Sequence, residues 1–146
     1  MKIEVIRRIK KKIPCSQAEI RNNLRKVLRL LKIKNGSLNV VIVSDHFIRK
    51  LNRRFLNKDR VTDVLAFGEE GKEGIKNGFL GEVVVSLDTA KRVARRYGKR
   101  IEEEFFLYLV HGILHLIGYT DRTLRERKAM EEMQNKIVTQ LFYDKK

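Results

Sequence analysis

Hydrophobic and polar positions along this chain recur with two periods, and the changes of period mark its elements. Residues 3–9 alternate in part and predict a strand, which Pro14 closes off. Ser16 followed by Glu19 forms a capping box that opens a helix. In that helix Ile20, Leu24, Val27 and Leu31 make an apolar stripe, and Asn35-Gly36 ends the region. Residues 38–43 are short and β-branched, a second strand. Ser44-Asp45 starts a helix carrying Ile48, Leu51 and Phe55. Residues 64–67 predict a third strand, and the glycine- and charge-rich stretch 68–78 a loop or hairpin connection. Residues 79–85 predict a fourth strand, and Ser86 caps a helix running to about Tyr97. Residues 101–117 form a long apolar helix with Glu102, Glu103 and Glu104 in its first turn, where carboxylates suit the helix dipole. A last amphipathic helix runs over about 123–142. The order βαβαββααα predicts an α/β (α+β) fold, one small mixed sheet with about five helices mainly on one face.

Composition agrees with one packed domain over residues 1–146. The chain is 42% hydrophobic and 35% charged, enough apolar surface to offset the entropy of ordering it. The single cysteine, Cys15, leaves no internal disulfide framework and no cysteine-based zinc finger, and most simply is an inert small residue. Charges interrupt the first fourteen residues, so a signal-peptide core is not expected there. The apolar run 105–110 is far too short to cross a bilayer. A cytoplasmic protein with no membrane partner is the expectation by elimination.

Charge sharpens the picture. The net charge is +15, and residues 1–60 hold 18 basic against 4 acidic side chains while 61–146 hold 15 against 14. Arg21, Arg25, Arg29 and Lys32 follow helical spacing opposite the apolar stripe of the first helix. Arg53, Arg54 and Lys58 cluster at the end of the second. Such asymmetry points to a polyanion, because each cation placed on a phosphate releases a counterion. A solvated surface on a charge-rich protein is the plainer alternative, and charge alone does not separate the two.

The candidate chemistry lies in His111-Gly-Ile-Leu-His115-Leu-Ile-Gly118-Tyr-Thr-Asp121. Two histidines four apart share one helix face, so both imidazoles reach one ion. Gly118 can take the left-handed conformation that stops a helix, letting the chain turn back with Asp121 as third ligand. The spacing is that of the metzincin proteases, HExxHxxGxxH, with two changes: Gly112 stands where those enzymes carry the general-base glutamate, and Asp121 where they carry the third histidine. Three protein ligands plus a water is the catalytic type of zinc coordination. Two core histidines on a buried helix, with Asp121 capping the last helix, is the structural alternative. Glu104 and Tyr108 project from the same face as second partners or as packing. Without a base at position 112 peptide hydrolysis is disfavoured. Phosphodiester hydrolysis, which asks for charge stabilisation, suits the basic half of the chain.

Three segments together resemble the YbeY family of single-strand-specific metallo-endoribonucleases. They are Leu51-Asn52-x-x-Phe55-x-x-x-Asp59-x-x-Thr62-Asp63-Val64-Leu65-Ala66-Phe67, then Leu80-Gly81-Glu82-Val83, then His111 to Asp121. The resemblance implies one Zn²⁺ on His111, His115 and position 121, a four-stranded mixed sheet and a bacterial cytoplasm. It also implies cleavage of single-stranded RNA in maturing the 16S rRNA 3′ end and clearing defective ribosomes. The partner is then ribosomal RNA or the small subunit, with Arg53, Arg54, Lys58, Arg21, Arg25 and Arg29 as RNA-binding candidates and no DNA expected. Two positions depart from the family pattern: Asp121 replaces a histidine, and Leu56 replaces an arginine expected at the phosphate, a role Arg53 or Arg54 would have to take over. For the Thr62-Asp63 pair a strand-entry turn and a functional role are both open. The alternative readings are a non-catalytic RNA- or ribosome-binding assembly factor with a structural metal and, further off, a metzincin-like protease.

Overall fold

A computed structural model describes residues 2–34, 36–68 and 78–143. Four strands form one sheet in the order β1-β2-β4-β3: β1 (Lys2–Arg7), β2 (Ser37–Val43), β3 (Val64–Phe67) and β4 (Phe79–Ser86). β1, β2 and β4 are parallel, and β3 pairs antiparallel with β4 at the sheet's edge. The helices are α1 (Gln17–Leu30), α2 (Asp45–Leu56), α3 (Leu87–Tyr97), α4 (Ile101–Leu116) and α5 (Leu124–Phe142). The element order is the expected one.

Caps set most helix starts. Ser16, Ser44, Ser86 and Thr123 each accept the backbone N–H three residues on, which satisfies an orphan donor of the first turn. The first strand stops at Arg7, two residues short of the expected end. The Arg7 guanidinium folds back onto the carbonyl oxygens of Ile9, Lys10 and Lys11, so those oxygens serve a side chain rather than a ladder. Most of the expected connection at 68–78 lies outside the described residues.

The sheet buries both faces unequally. Ile3, Leu38, Val40, Ile42, Val83 and Val85 face α1, α4 and α5 and join the main core with Phe105, Phe106, Leu109 and Ile113 of α4. Val41, Val43, Leu65 and Val84 face the other way, onto Ile48 of α2. Alternate residues of a strand point to opposite faces, so β2 and β4, covered on both, read as continuous apolar runs. The result puts α4 beneath the sheet and α2 above it, with the edge strand β3 between them.

Candidate functional site

His111 and His115 lie on α4 where it runs beneath the β3 edge. Between them Gly112 faces the sheet. A Cβ built there would stand 2.7 Å from Val83 Cγ1 and 3.2 Å from Val64 Cγ2, so the helix comes closer to β3 and β4 than any side chain would permit. The absence of a protease-type glutamate therefore has a packing cause. After Leu116 the chain turns at Gly118, whose φ of 108° is open to glycine and costly for other residues, as its place in the motif predicts.

The two imidazoles face each other with their Nε2 atoms 3.1 Å apart. His111 Nδ1 meets Gln134 Oε1 of α5 at 2.8 Å. An amide oxygen accepts only, so Nδ1 carries the hydrogen and the neutral ring presents its lone pair at Nε2. This is how metal-binding imidazoles are commonly oriented by an outer partner. His115 is half-buried, and burial pushes its pKa below the ordinary histidine value. The nearby His111 pushes the same way, against Asp121, a backbone hydrogen bond with Tyr119, and Asp63. Burial thus favours a neutral, ligand-ready His115 ring.

Asp121 is exposed and borders the same cleft of about 520 Å³ as His111, Asp63, Arg96, Arg127 and Gln134. It does not cap the last helix: Thr123 does so, with Glu126, whose carboxylate also binds the Thr120 hydroxyl. Asp63 Oδ1 accepts from its neighbours, the Val64 N–H at 2.8 Å and the Thr62 hydroxyl at 3.3 Å, which is the strand-entry turn. It also lies close enough to His115 to favour that ring's charged form. Glu104 is buried near Tyr108, whose hydroxyl is pushed far above its usual pKa by burial and then by that carboxylate; both line the cleft wall.

Gln134, Arg96 and Arg127 were not singled out by sequence. The spacing of Arg127, Met130, Glu131 and Gln134 on one face of α5 was the available signal, but amphipathic helices show it without any function.

The expected RNA-binding cations lie elsewhere. Arg53, Arg54 and Lys58 are exposed at the end of α2 and in the turn after it, and none lines the histidine cleft. Asn52, buried, anchors that turn by donating to the Arg60 carbonyl, and Arg49 pairs with Asp59 at 2.9 Å. This is a structural reason for the Asn and Asp of the first motif. Leu56 is exposed and also outside the cleft. Arg25 and Arg29 border a cavity of about 410 Å³ with Lys32 and Lys34, while Arg21 is half-buried.

The donor set suits a divalent ion in part. Two nitrogens each about 2.0–2.1 Å from a tetrahedral zinc would stand about 3.3 Å apart, close to the spacing seen. Two facing lone pairs at 3.1 Å repel, so the space between them takes one proton or one cation. The Asp121 carboxylate is farther off. Among the described residues, the three that bring ligand atoms within 4.8 Å of one another are Cys15, Glu19 and Glu102 instead. That group lies at the start of α1 and α4. There the Cys15 thiol is pushed up to about 12 by burial and by Glu102 and Glu19, which keeps it protonated and unreactive.

The fold and this site define a class: a mixed-sheet α/β protein whose buried helix carries a His-x-x-x-His pair ended by a left-handed glycine. The family model described as Endoribonuclease YbeY matches residues 5–142, and the chain belongs to that family. Similar proteins named Endoribonuclease YbeY occur in Aquifex aeolicus, 42% identical over 78% of this chain and 76% of that one, and in Sulfurihydrogenibium, 38% identical over 80% and 77%. The relative from Myxococcus xanthus is 40% identical over 78% of this chain, which spans only 40% of that protein's length. The solution structure of TM1509 from Thermotoga maritima superposes with a TM-score of 0.69 at 29% identity, over 96% of this chain and 89% of that one. No helix among the described residues is long and apolar enough to cross a membrane.

Proposed function

We propose that residues 1–146 act as a single zinc-dependent endoribonuclease domain that hydrolyses single-stranded RNA. The observation that carries this reading is the convergence of His111 and His115 Nε2 at 3.1 Å, with Gln134 holding His111 by its other nitrogen, in a chain of the YbeY family. His111 and His115 would hold the ion, with Asp121 as the third ligand its place in the motif implies. A bound ion would supply Lewis-acid charge at the phosphoryl oxygen and acidify water. Arg96 and Arg127 bind the phosphodiester from the cleft walls. Ribosomal RNA is the substrate, processed at the 16S 3′ end and in the removal of defective ribosomes, which places the activity in the bacterial cytoplasm. Arg53, Arg54, Lys58 and the α1 cations hold the strand away from the chemistry.

A non-catalytic RNA-binding assembly factor is the second reading, favoured by the distance of Asp121 from the imidazoles. Cleavage of labelled single-stranded RNA separates them. The nuclease should cut it, spare duplex RNA and casein, and lose activity with EDTA or in His115→Ala. RNA bound but uncut across divalent metals would sink the nuclease and leave the assembly factor.

A further inference from the structure

On the opposite face of the sheet from the histidines, a cavity of about 560 Å³ opens between α2 and the β3–β4 pair. Its walls are Leu51, Phe55, Phe67, Gly68, Phe79 and Glu82. Phe55 is 58% exposed and Phe79 36% exposed, an unusual outlay of aromatic surface for so charged a chain. Phe55 meets Phe67 edge-on with ring centroids 5.6 Å apart, and the Arg54 guanidinium stands 5.5 Å over the Phe55 ring. Phe67 and Glu82 are register partners on adjacent strands, so both side chains point to this face. Glu82 is half-buried, and no described residue hydrogen-bonds its carboxylate.

The surroundings narrow the occupant. Arg54 stands over Phe55, Arg53, Lys58 and Arg60 are exposed at the end of α2 and in the turn after it, and Asp59 is engaged by Arg49. A cationic ligand for Glu82 is repelled by these cations, and an acidic peptide sets its own carboxylates against that of Glu82. A flat heteroaromatic ring carrying an amino donor, joined to phosphates, satisfies all three features. Aromatic side chains stack on any base, and a carboxylate accepts from the N4 amino group of cytosine. Uracil offers that position a carbonyl oxygen, which the carboxylate repels.

We propose that the cavity between Phe55, Phe67 and Phe79 is a base pocket that takes one unstacked, amino-bearing nucleobase of an RNA strand, with Glu82 accepting its amino group. The pocket rests on the RNA reading above but not on cleavage.

Fluorescence anisotropy with the full chain tests it, using 2′-O-methyl octamers of cytidine and of uridine, while cleavage is followed separately on unmodified RNA. The native protein should bind the cytidine octamer at least about threefold more tightly than the uridine one. Phe55→Ala should weaken cytidine binding by about tenfold, the scale of one lost base–aromatic stack. Glu82→Gln should bind the two octamers about equally, since an amide presents donor or acceptor alike. Melting temperatures unchanged by Phe55→Ala keep its result interpretable. Equal binding of the two octamers by native protein, or no loss in a folded Phe55→Ala, overturns the pocket. With RNA cleavage intact, that leaves the nuclease standing. Base-dependent binding lost in Phe55→Ala with no cleavage of any RNA supports the pocket and removes the nuclease.

Discussion

Replacing Gly112 by alanine adds one methyl group between α4 and the sheet. Its carbon would lie 2.7 Å from Val83 Cγ1, about 1 Å inside the preferred carbon separation. Val83 is fully buried in β4, and a β-branched side chain has few rotamers to retreat into. The helix must therefore move. Overpacking of this kind costs about 1–3 kcal/mol, and alanine returns about 1 kcal/mol of helix propensity over glycine. The net loss is about 1 kcal/mol, a fall of roughly 2–4 °C in melting temperature for a chain of this size. Zinc affinity should fall further than stability, because the same displacement carries His111 away from Gln134. Calorimetry and zinc titration on Gly112→Ala, Val83→Ala and the double variant make the check. Removing the valine methyls makes room for the new one, so the double variant should be more stable than the two losses added, by about 1 kcal/mol. A raised melting temperature in Gly112→Ala, as an exposed helix glycine would give, or strict additivity in the double, would refute the close packing.

Other expectations follow from the same structure. Asp45 accepts from Ser86 and Thr89 at 2.6 Å and from Arg92 at 2.7 Å, and these bonds hold its carboxyl below the usual aspartate value despite its burial. Its folded-state pKa lies below the unfolded one, so its stabilisation is present above the unfolded value and lost as pH falls through the folded one. Asp45→Asn should then melt lower than native protein at neutral pH, the gap closing on acidification below the ordinary aspartate range; a gap constant with pH would count against it. Asp121→Ala should weaken zinc binding at least about tenfold while leaving the metal-free melting temperature unchanged, because Thr123 holds the helix cap. Thr123→Ala should do the reverse, costing about 1 kcal/mol of stability; unchanged zinc affinity in Asp121→Ala would mean the third ligand is placed wrongly. Arg127→Ala should slow RNA cleavage about a hundredfold as one charge-stabilising donor is lost, whereas Leu56→Arg, outside the cleft, should change the rate less than about twofold. The opposite ranking would return the phosphate contact to α2.

Local chemistry was the part most legible in the sequence. Ser16, Ser44, Ser86 and Thr123 announce helix starts because capping depends on residues within one turn. The same holds for the His111–His115 face and the turn at Gly118, both set by helix geometry alone. What could not be read was anything fixed by packing between distant segments. Gln134 reaches His111 across 23 residues, and only the docking of α5 on α4 brings them together. Gly112 read as a missing base, and its reason lies in Val83 and Val64, which no spacing connects to it. The Arg53 and Arg54 pair suggested a substitute for the family arginine by nearness in sequence, yet α2 packs on the face of the sheet away from the histidines. Strand periodicity could not tell that the Arg7 side chain would end β1 early.

The lopsided charge of the chain acquires a spatial meaning from the strand order. The strongly basic first sixty residues build β1, α1, β2 and α2, while the nearly neutral remainder builds β3, β4, the histidine helix and its cleft. In the order β1-β2-β4-β3 these halves lie side by side, so α1 and its cations sit at the edge opposite β3. α2 alone crosses over, packing on β3 and β4 and bringing Arg53, Arg54 and Lys58 to the far side of the edge strand from the histidines. The cleft itself needs no such excess. It sets Arg96 and Arg127 among the carboxylates of Asp63, Asp121, Glu104 and Glu131, a balance that suits a divalent ion and would be lost if the cations of α2 faced inward. On the proposed function a polyanion drawn by the basic half would meet β3 from one side and the histidine cleft from the other, so a strongly cationic chain can still keep carboxylates around that cleft.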